Sequence, residues 1–181
     1  MQAEAPLSPA WLKTHARAIV ACLFSALAFT ALPTPADSYA GASASFDSIE
    51  RKIVRNINSF RASNGLGALR MNKALGRSSD YHCADMLAAN FFAHTSSNGE
   101  SFEQRVEQFR PSRRIGETLA YLSKGARKNM ARRIVDMWIN SPPHRASLLS
   151  RSFRRIGVAR RNGKLNGAPV TVFTADFASK R

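Results

Sequence analysis

Trp138-Ile139-Asn140-Ser141-Pro142-Pro143-His144-Arg145 joins two helices, and its reading organises the rest of the chain. Upstream, Lys128 to Ile139 is amphipathic, with Met130, Ile134, Val135, Met137 and Trp138 inward and Arg132, Arg133 and Asp136 largely outward. Ser141 then serves as N-cap of a second, short helix. Pro142 takes its first position, where the missing N–H costs nothing. His144 falls at the third position after that cap. The partial positive charge of a helix N-terminus disfavours imidazolium there, and neutral imidazole is the form that binds a metal or accepts a proton.

Downstream, Arg155 to Arg160 and Val170 to Phe177 alternate like two strands, with Asn162-Gly163 and Asn166-Gly167 as turns between them. Upstream, Ile115 to Leu122 is short and mostly apolar, as a buried extended segment or an irregular pocket wall would be. Ser101 caps a short helix to Phe109, with Phe102, Val106 and Phe109 on one side. Asn72 caps a longer one through Leu75, Ser79, Cys83, Met86 and Leu87. Ile49, Ile53, Ile57 and Phe60 mark the first helix, which Asn64-Gly65 stops. The order is helix, helix, short helix, strand, helices and hairpin. That predicts an α+β fold or an α/β/α sandwich around a small sheet.

The first 40 residues read as a secretory signal peptide. A polar stretch with Lys13, His15 and Arg17 precedes the uncharged run Ala18–Leu32, and small residues near Ala40 suit cleavage. The run is shorter than the roughly 20 residues that span a bilayer; uncleaved, it is a membrane tether. Cys22 superficially fits a lipoprotein box but sits too early in the run. Residues 41–47 form a linker, 48–178 the domain and 179–181 a tail. A domain of roughly 140 residues buries a core without disulfides, and Cys83 alone remains, expected as a buried, inert thiol. Leader charges cancel, so the +15 of the chain stays with the domain. Such a surface favours anionic lipid or envelope polymers; no specific nucleic-acid motif accompanies it.

Of the histidines outside the leader, His82 lies among Arg77, Asp80 and Asp85 and reads as a surface or boundary residue. His94 follows Phe91-Phe92-Ala93, which would anchor a loop that presents the ring to a cleft. Glu117 sits in an apolar stretch, where an unpaired carboxylate is costly, so it needs a histidine or a metal as partner. Two histidines 50 residues apart match no compact zinc motif.

Several fragments, in order, carry a resemblance. They are Ile57-Asn58-Ser59-Phe60-Arg61 with Gly65-Leu66, Asp85-Met86 through Phe92-Ala93-His94, and Asn98-Gly99 with Phe102 and Arg105. After them come Gly116-Glu117-Thr118-Leu119-Ala120, Trp138 through Arg145, Phe153-Arg154-Arg155-Ile156-Gly157-Val158, and Asp176-Phe177. The chain resembles the CAP superfamily (SCP-like; cysteine-rich secretory, antigen 5, pathogenesis-related-1 proteins) in its bacterial disulfide-free form. The resemblance implies a three-layer α-β-α sandwich with a small, mainly antiparallel central sheet. It also implies a cleft in which His94, Glu117 and His144 can hold zinc or another divalent cation. Thr118 stands where the family has asparagine, and Ser141 where many members have a second acid.

Three functions follow. One is a monomeric, secreted or periplasmic binding module for a lipid, peptide, anionic envelope polymer or hydrophobic small ligand. The second is a purely structural His94–Glu117–His144 cluster. The third is a metal-assisted hydrolase, with Glu117 as general base and His94 and His144 as zinc ligands. Two such ligands are one fewer than catalytic zinc usually takes, and no nucleophile is marked, which orders them as given.

Overall fold

The structure, a computed structural model, describes residues 45–123 and 128–180. The expected signal peptide, Cys22 and all but the last residues of the expected linker lie outside the described residues. Helix α1 spans Ser48–Ser63. Strand β1 (Arg70–Met71) and helix α2 (Lys73–Ala88) follow, then α3 (Phe102–Phe109) and β2 (Ile115–Ser123). Helices α4 (Met130–Asn140) and α5 (Pro142–Leu149) lead into β3 (Arg155–Leu165) and β4 (Ala168–Ala178). Among the described residues no helix is long and apolar enough to cross a membrane.

The helix starts are local chemistry. Asp47 and Glu50 form a reciprocal capping box on α1, Ser101 and Gln104 do the same on α3, and the Asn72 side chain accepts from the Leu75 N–H at 3.0 Å. Asp47 also pairs with Arg160 at 2.8 Å, so the end of the expected linker already makes domain contacts. Pro142 opens α5 as expected, although the Ser141 side chain makes no capping bond.

The sheet order is β1-β3-β4-β2, with β1 parallel to β3 and the other pairs antiparallel. It is therefore mixed. β3 runs through Asn162-Gly163 without turning. The reversal comes only at Asn166-Gly167, where both residues take positive φ (48° and 78°), as a two-residue type I′ hairpin needs. Central β4 is buried on both faces from Val170 onward, so its apolar character is nearly continuous rather than alternating.

One face packs on α1, α4 and α5 through Ile53, Ile57, Ile134, Trp138, Leu148, Phe173 and Phe177. Trp138 is wholly buried and its indole N–H donates to the Leu119 carbonyl at 3.0 Å, pinning α4 to β2. Met137, expected inward, is 44% exposed, because it lies on the flank of the stripe formed by Ile134, Val135 and Trp138. The other face carries α2, through Cys83, Met86, Leu119, Ala159 and Val172. Burial pushes the Cys83 thiol up to about 12, so it is inert, as expected.

Candidate functional site

Three residues lie in one row across the α2 face of the sheet. Glu117 on β2 opposes Asp176 on β4, which opposes Gly157 on β3. Gly157 has no side chain because none would fit: a Cβ there would meet backbone atoms of Leu75 and Gly76 at 2.1 Å. That close approach brings Ser79 of α2 within 3.0 Å of the Asp176 carboxylate and 3.3 Å of the Gly157 carbonyl.

Glu117 is fully committed. His94 Nδ1–H donates to its Oε1 at 2.7 Å, and the buried Arg105 guanidinium bonds its Oε2. The second guanidinium arm of Arg105 donates to Ser96 Oγ at 2.7 Å and to the His94 carbonyl at 3.1 Å, fixing the loop that carries His94. Burial pushes the Glu117 carboxyl up, but the His94 hydrogen bond and the Arg105 charge outweigh it, and the group is held below its usual range. A partner was expected for this carboxylate. Arg105 is the one sequence reasoning assigned no role; its signal is its position between Phe102, Val106 and Phe109 on the inward side of α3.

His82 corrects an expectation. It is wholly buried, and its Nε2–H donates to the Ala93 carbonyl at 2.8 Å, bracing the chain one residue before His94. Burial keeps its pKa low, so the ring stays neutral at pH 7. The mixed-charge sequence around it misled because His82 shares the inward side of α2 with Ser78, Ser79 and Cys83.

His144 reaches the same place from α5. Its ring centroid lies 6.1 Å from that of His94, which also packs 5.9 Å from Phe102. His144 is held below the usual histidine range, as the helix-terminus argument expected in direction. Burial is the main cause, His94 adds to it, and Glu117 opposes it. The structure thus brings His94, Glu117 and His144 together, but the carboxylate turns to His94 and Arg105. Among the described residues no three His, Cys, Asp or Glu side chains converge as a group that could hold a metal. Thr118 faces the α4 side of the sheet, and its buried hydroxyl finds no hydrogen-bond partner among the described residues.

Asp176 is the second buried acid. Burial, then the neighbouring Glu117 charge, raise its carboxyl from 3.8 to about 8, against the pull of Arg105, Ser78 and Ser79. It is therefore mostly protonated at pH 7 while Glu117 is ionised, which relieves a like-charge pair across the strands. Because the unfolded chain releases this proton near pH 4 and the native state keeps it, the stabilisation is present below pH 4 and lost as pH rises towards 8. Asp176→Asn is thus expected to gain on wild type by about 3–4 kcal/mol between pH 5 and pH 8, read from urea melts across that range. A constant difference would contradict the assignment.

The sequence profile of the cysteine-rich secretory protein family, CAP, matches residues 54–177. This chain belongs to the CAP family. The CAP chain is similar to the Bacillus subtilis protein YkwD, 31% identical over 118 residues, which cover 65% of this chain and 44% of YkwD. It is also similar to the Bacillus subtilis membrane protein YlbC, at 28% over 60% of this chain and 30% of the other. The chain spans less than half the length of these curated relatives. Among solved structures, an outer surface protein of Borrelia burgdorferi superposes with a TM-score of 0.61 at 20% identity, covering 75% of this chain and 97% of that one. An extracellular SCP-domain protein of Bacillus anthracis gives 0.59 at 23%, covering 73% and 40%. These likenesses establish the CAP fold, an α-β-α sandwich around a small mixed sheet.

Proposed function

We propose that the chain is an exported binding module of the cell envelope, whose cleft presents the His94 and His144 imidazoles to a ligand. The observation that carries this reading is the state of Glu117. Both its oxygens are occupied, its side chain is wholly buried, and its carboxyl is held low, so it is a poor general base. His94, by contrast, is 47% exposed in its side chain and, when neutral, keeps its Nε2 lone pair free. The accessible groups of the cleft are thus its two imidazoles, which suit ligand and hydrogen-bonding roles, while Glu117 is not available as the base the hydrolase reading assigned to it.

A divalent cation such as zinc fits this arrangement as an open site. His94 and His144 would hold it, and Glu117 would orient His94 from behind, as carboxylates do for ligating histidines. Bound there, the cation would supply Lewis acidity towards an anionic ligand group. Elsewhere on the domain, Phe92 and Tyr121 pack edge to face at 5.0 Å, both exposed, bordering a cavity of about 290 Å³ that suits an apolar ligand portion. Export is supported by the N-terminal sequence and by the outer-surface and extracellular descriptions of the structural relatives.

The second reading is a structural cluster, favoured by the buried Arg105–Glu117 pair. Thermal melts with zinc separate the two. At a hundredfold excess over its dissociation constant, zinc should add about 2.7 kcal/mol and raise the melting temperature by about 5–10 °C, and His144→Ala should abolish the rise. A wild-type melt that zinc leaves unmoved supports the structural cluster instead. Peptide hydrolysis that is abolished in His94→Ala/His144→Ala would revive the hydrolase.

A further inference from the structure

The strongest unassigned feature lies at the sheet end where β2 begins and β4 finishes. A cavity of about 510 Å³ is lined by Arg113, Arg114, Arg151, Arg154 and Lys180, together with Ser152 and Ser179. Among the described residues no carboxylate lines it, and none of these five cations pairs with an acid. His94, Glu117 and His144 lie outside it. The cations come from three separate segments: the approach to β2, the connection from α5 to β3, and the end of the chain after β4.

Those segments are stitched together through backbone. The Ser179 N–H donates to the Arg114 carbonyl at 3.0 Å, and the Arg114 N–H to Ser179 Oγ at 3.3 Å. The Arg154 N–H donates to the Ala178 carbonyl at 2.9 Å. Convergence of the charges is thus imposed by the fold and is not a chance of side-chain placement. Behind the α5–β3 connection sits a further cation, the wholly buried Arg61. Among the described residues it pairs with no acid, and it donates to the carbonyls of Leu148 (2.6 Å), Ser150 (3.1 Å) and Gly67 (2.9 Å). Its charge adds to the field of the cavity, and Arg154 in turn is close enough to perturb it.

We propose that this arginine-lined cavity is a phosphate-binding site, separate from the cleft, that takes a clustered phosphate group such as a pyrophosphate or a phosphorylated headgroup. Four of the five cations are arginines, whose planar forks bind phosphate oxygens in pairs, and two serines stand among them as neutral hydrogen-bonding groups. Gathering like charges in one concavity without acids is unfavourable in the free protein. An anion carrying several charges relieves that repulsion, which is the physical reason to expect polyphosphate over a single carboxylate.

Arg113→Gln/Arg151→Gln tests the site, because both residues are exposed and neither side chain holds another part of the fold. Arg55→Gln/Arg70→Gln, also exposed, removes the same charge elsewhere. Inorganic pyrophosphate is titrated calorimetrically at 0.1 M salt. The first double variant should bind about tenfold more weakly than wild type, and the second within about twofold. Equal weakening by both would reduce the cavity to part of a diffuse basic coat and overturn the proposal, as would the lack of any binding to wild type. Co-sedimentation with phosphatidylglycerol vesicles, against phosphatidylcholine, identifies the source. Loss of vesicle binding in the first double variant, with competition by pyrophosphate, supports a lipid headgroup. Unchanged vesicle binding with weakened pyrophosphate binding supports a soluble phosphate. His144→Ala, which removes one of the two cleft imidazoles, should leave the pyrophosphate titration unchanged, so the two sites stand or fall separately.

Discussion

Arg105→Met should destabilise the folded protein by about 3–5 kcal/mol, the cost of leaving a buried carboxylate without its cation. Both side chains of the Arg105–Glu117 pair are wholly buried, so water cannot take over for either partner. The same substitution releases Ser96 Oγ and the His94 carbonyl, loosening the loop that aims His94 at the cleft. With the cation gone, burial should raise the Glu117 carboxyl, and the variant should titrate this group nearer neutrality. Urea denaturation at pH 7 measures the loss. The companion Arg105→Met/Glu117→Leu should recover most of it, because replacing both partners removes the desolvation cost along with the attraction. A loss below about 1 kcal/mol in the single variant would mean that the pair is not the anchor of the site.

Gly157→Ala should be of comparable size, about 3 kcal/mol or more, for a steric reason. The new Cβ would sit 2.1 Å from the Gly76 nitrogen and the Leu75 carbonyl carbon, and 2.6 Å from Leu75 Cβ. Backbone atoms in a regular helix cannot swing aside as a side-chain tip does, so α2 must lift from the sheet. Lifting it stretches the Ser79 bonds to Asp176 and to the Gly157 carbonyl, and disturbs the seat of Leu75 and Cys83. Gly67→Ala is the control: its Cβ would meet nothing within 4 Å, and its melt should move by no more than about 0.5 kcal/mol. A Gly157→Ala melt that matches this control would show that the helix–sheet approach is looser than described.

Helix positions and their caps were legible because their causes are local. Asn72, Ser101 and Pro142 act on groups within one turn, and each helix announces its inward side at spacings of three and four. Failures came where a second rule decides. His82 looks polar by its neighbours in sequence, yet α2 is pressed so closely on the sheet that Ser78, Ser79 and His82 are all buried. Met137 fits the apolar spacing of α4, yet the stripe centres on Ile134 and Trp138 and leaves it outside. Asn162-Gly163 has the composition of a turn, but pairing with Val170 and Thr171 carries the strand through it. The turn four residues on satisfies the hairpin better, with positive φ at both of its central positions.

The WINSPPHR stretch by itself determined where α4 ends, where α5 starts and that a histidine stands in the first turn of α5. Proline chemistry and helix periodicity act over a few residues and leave little else to choose. Family membership was likewise legible from the ordered fragments between Ile57 and Phe177. What the cleft histidines and acids do depended on tertiary structure, because each is governed by a partner far away in the chain. Glu117 is ionised and occupied because His94 and Arg105 close on it, while Asp176, its neighbour across the strands, keeps its proton because it is buried beside the Glu117 charge. The arginine-lined cavity shows the same limit: Arg113, Arg151 and Lys180 are scattered in sequence, and only the meeting of three chain segments at one end of the sheet makes them a single site.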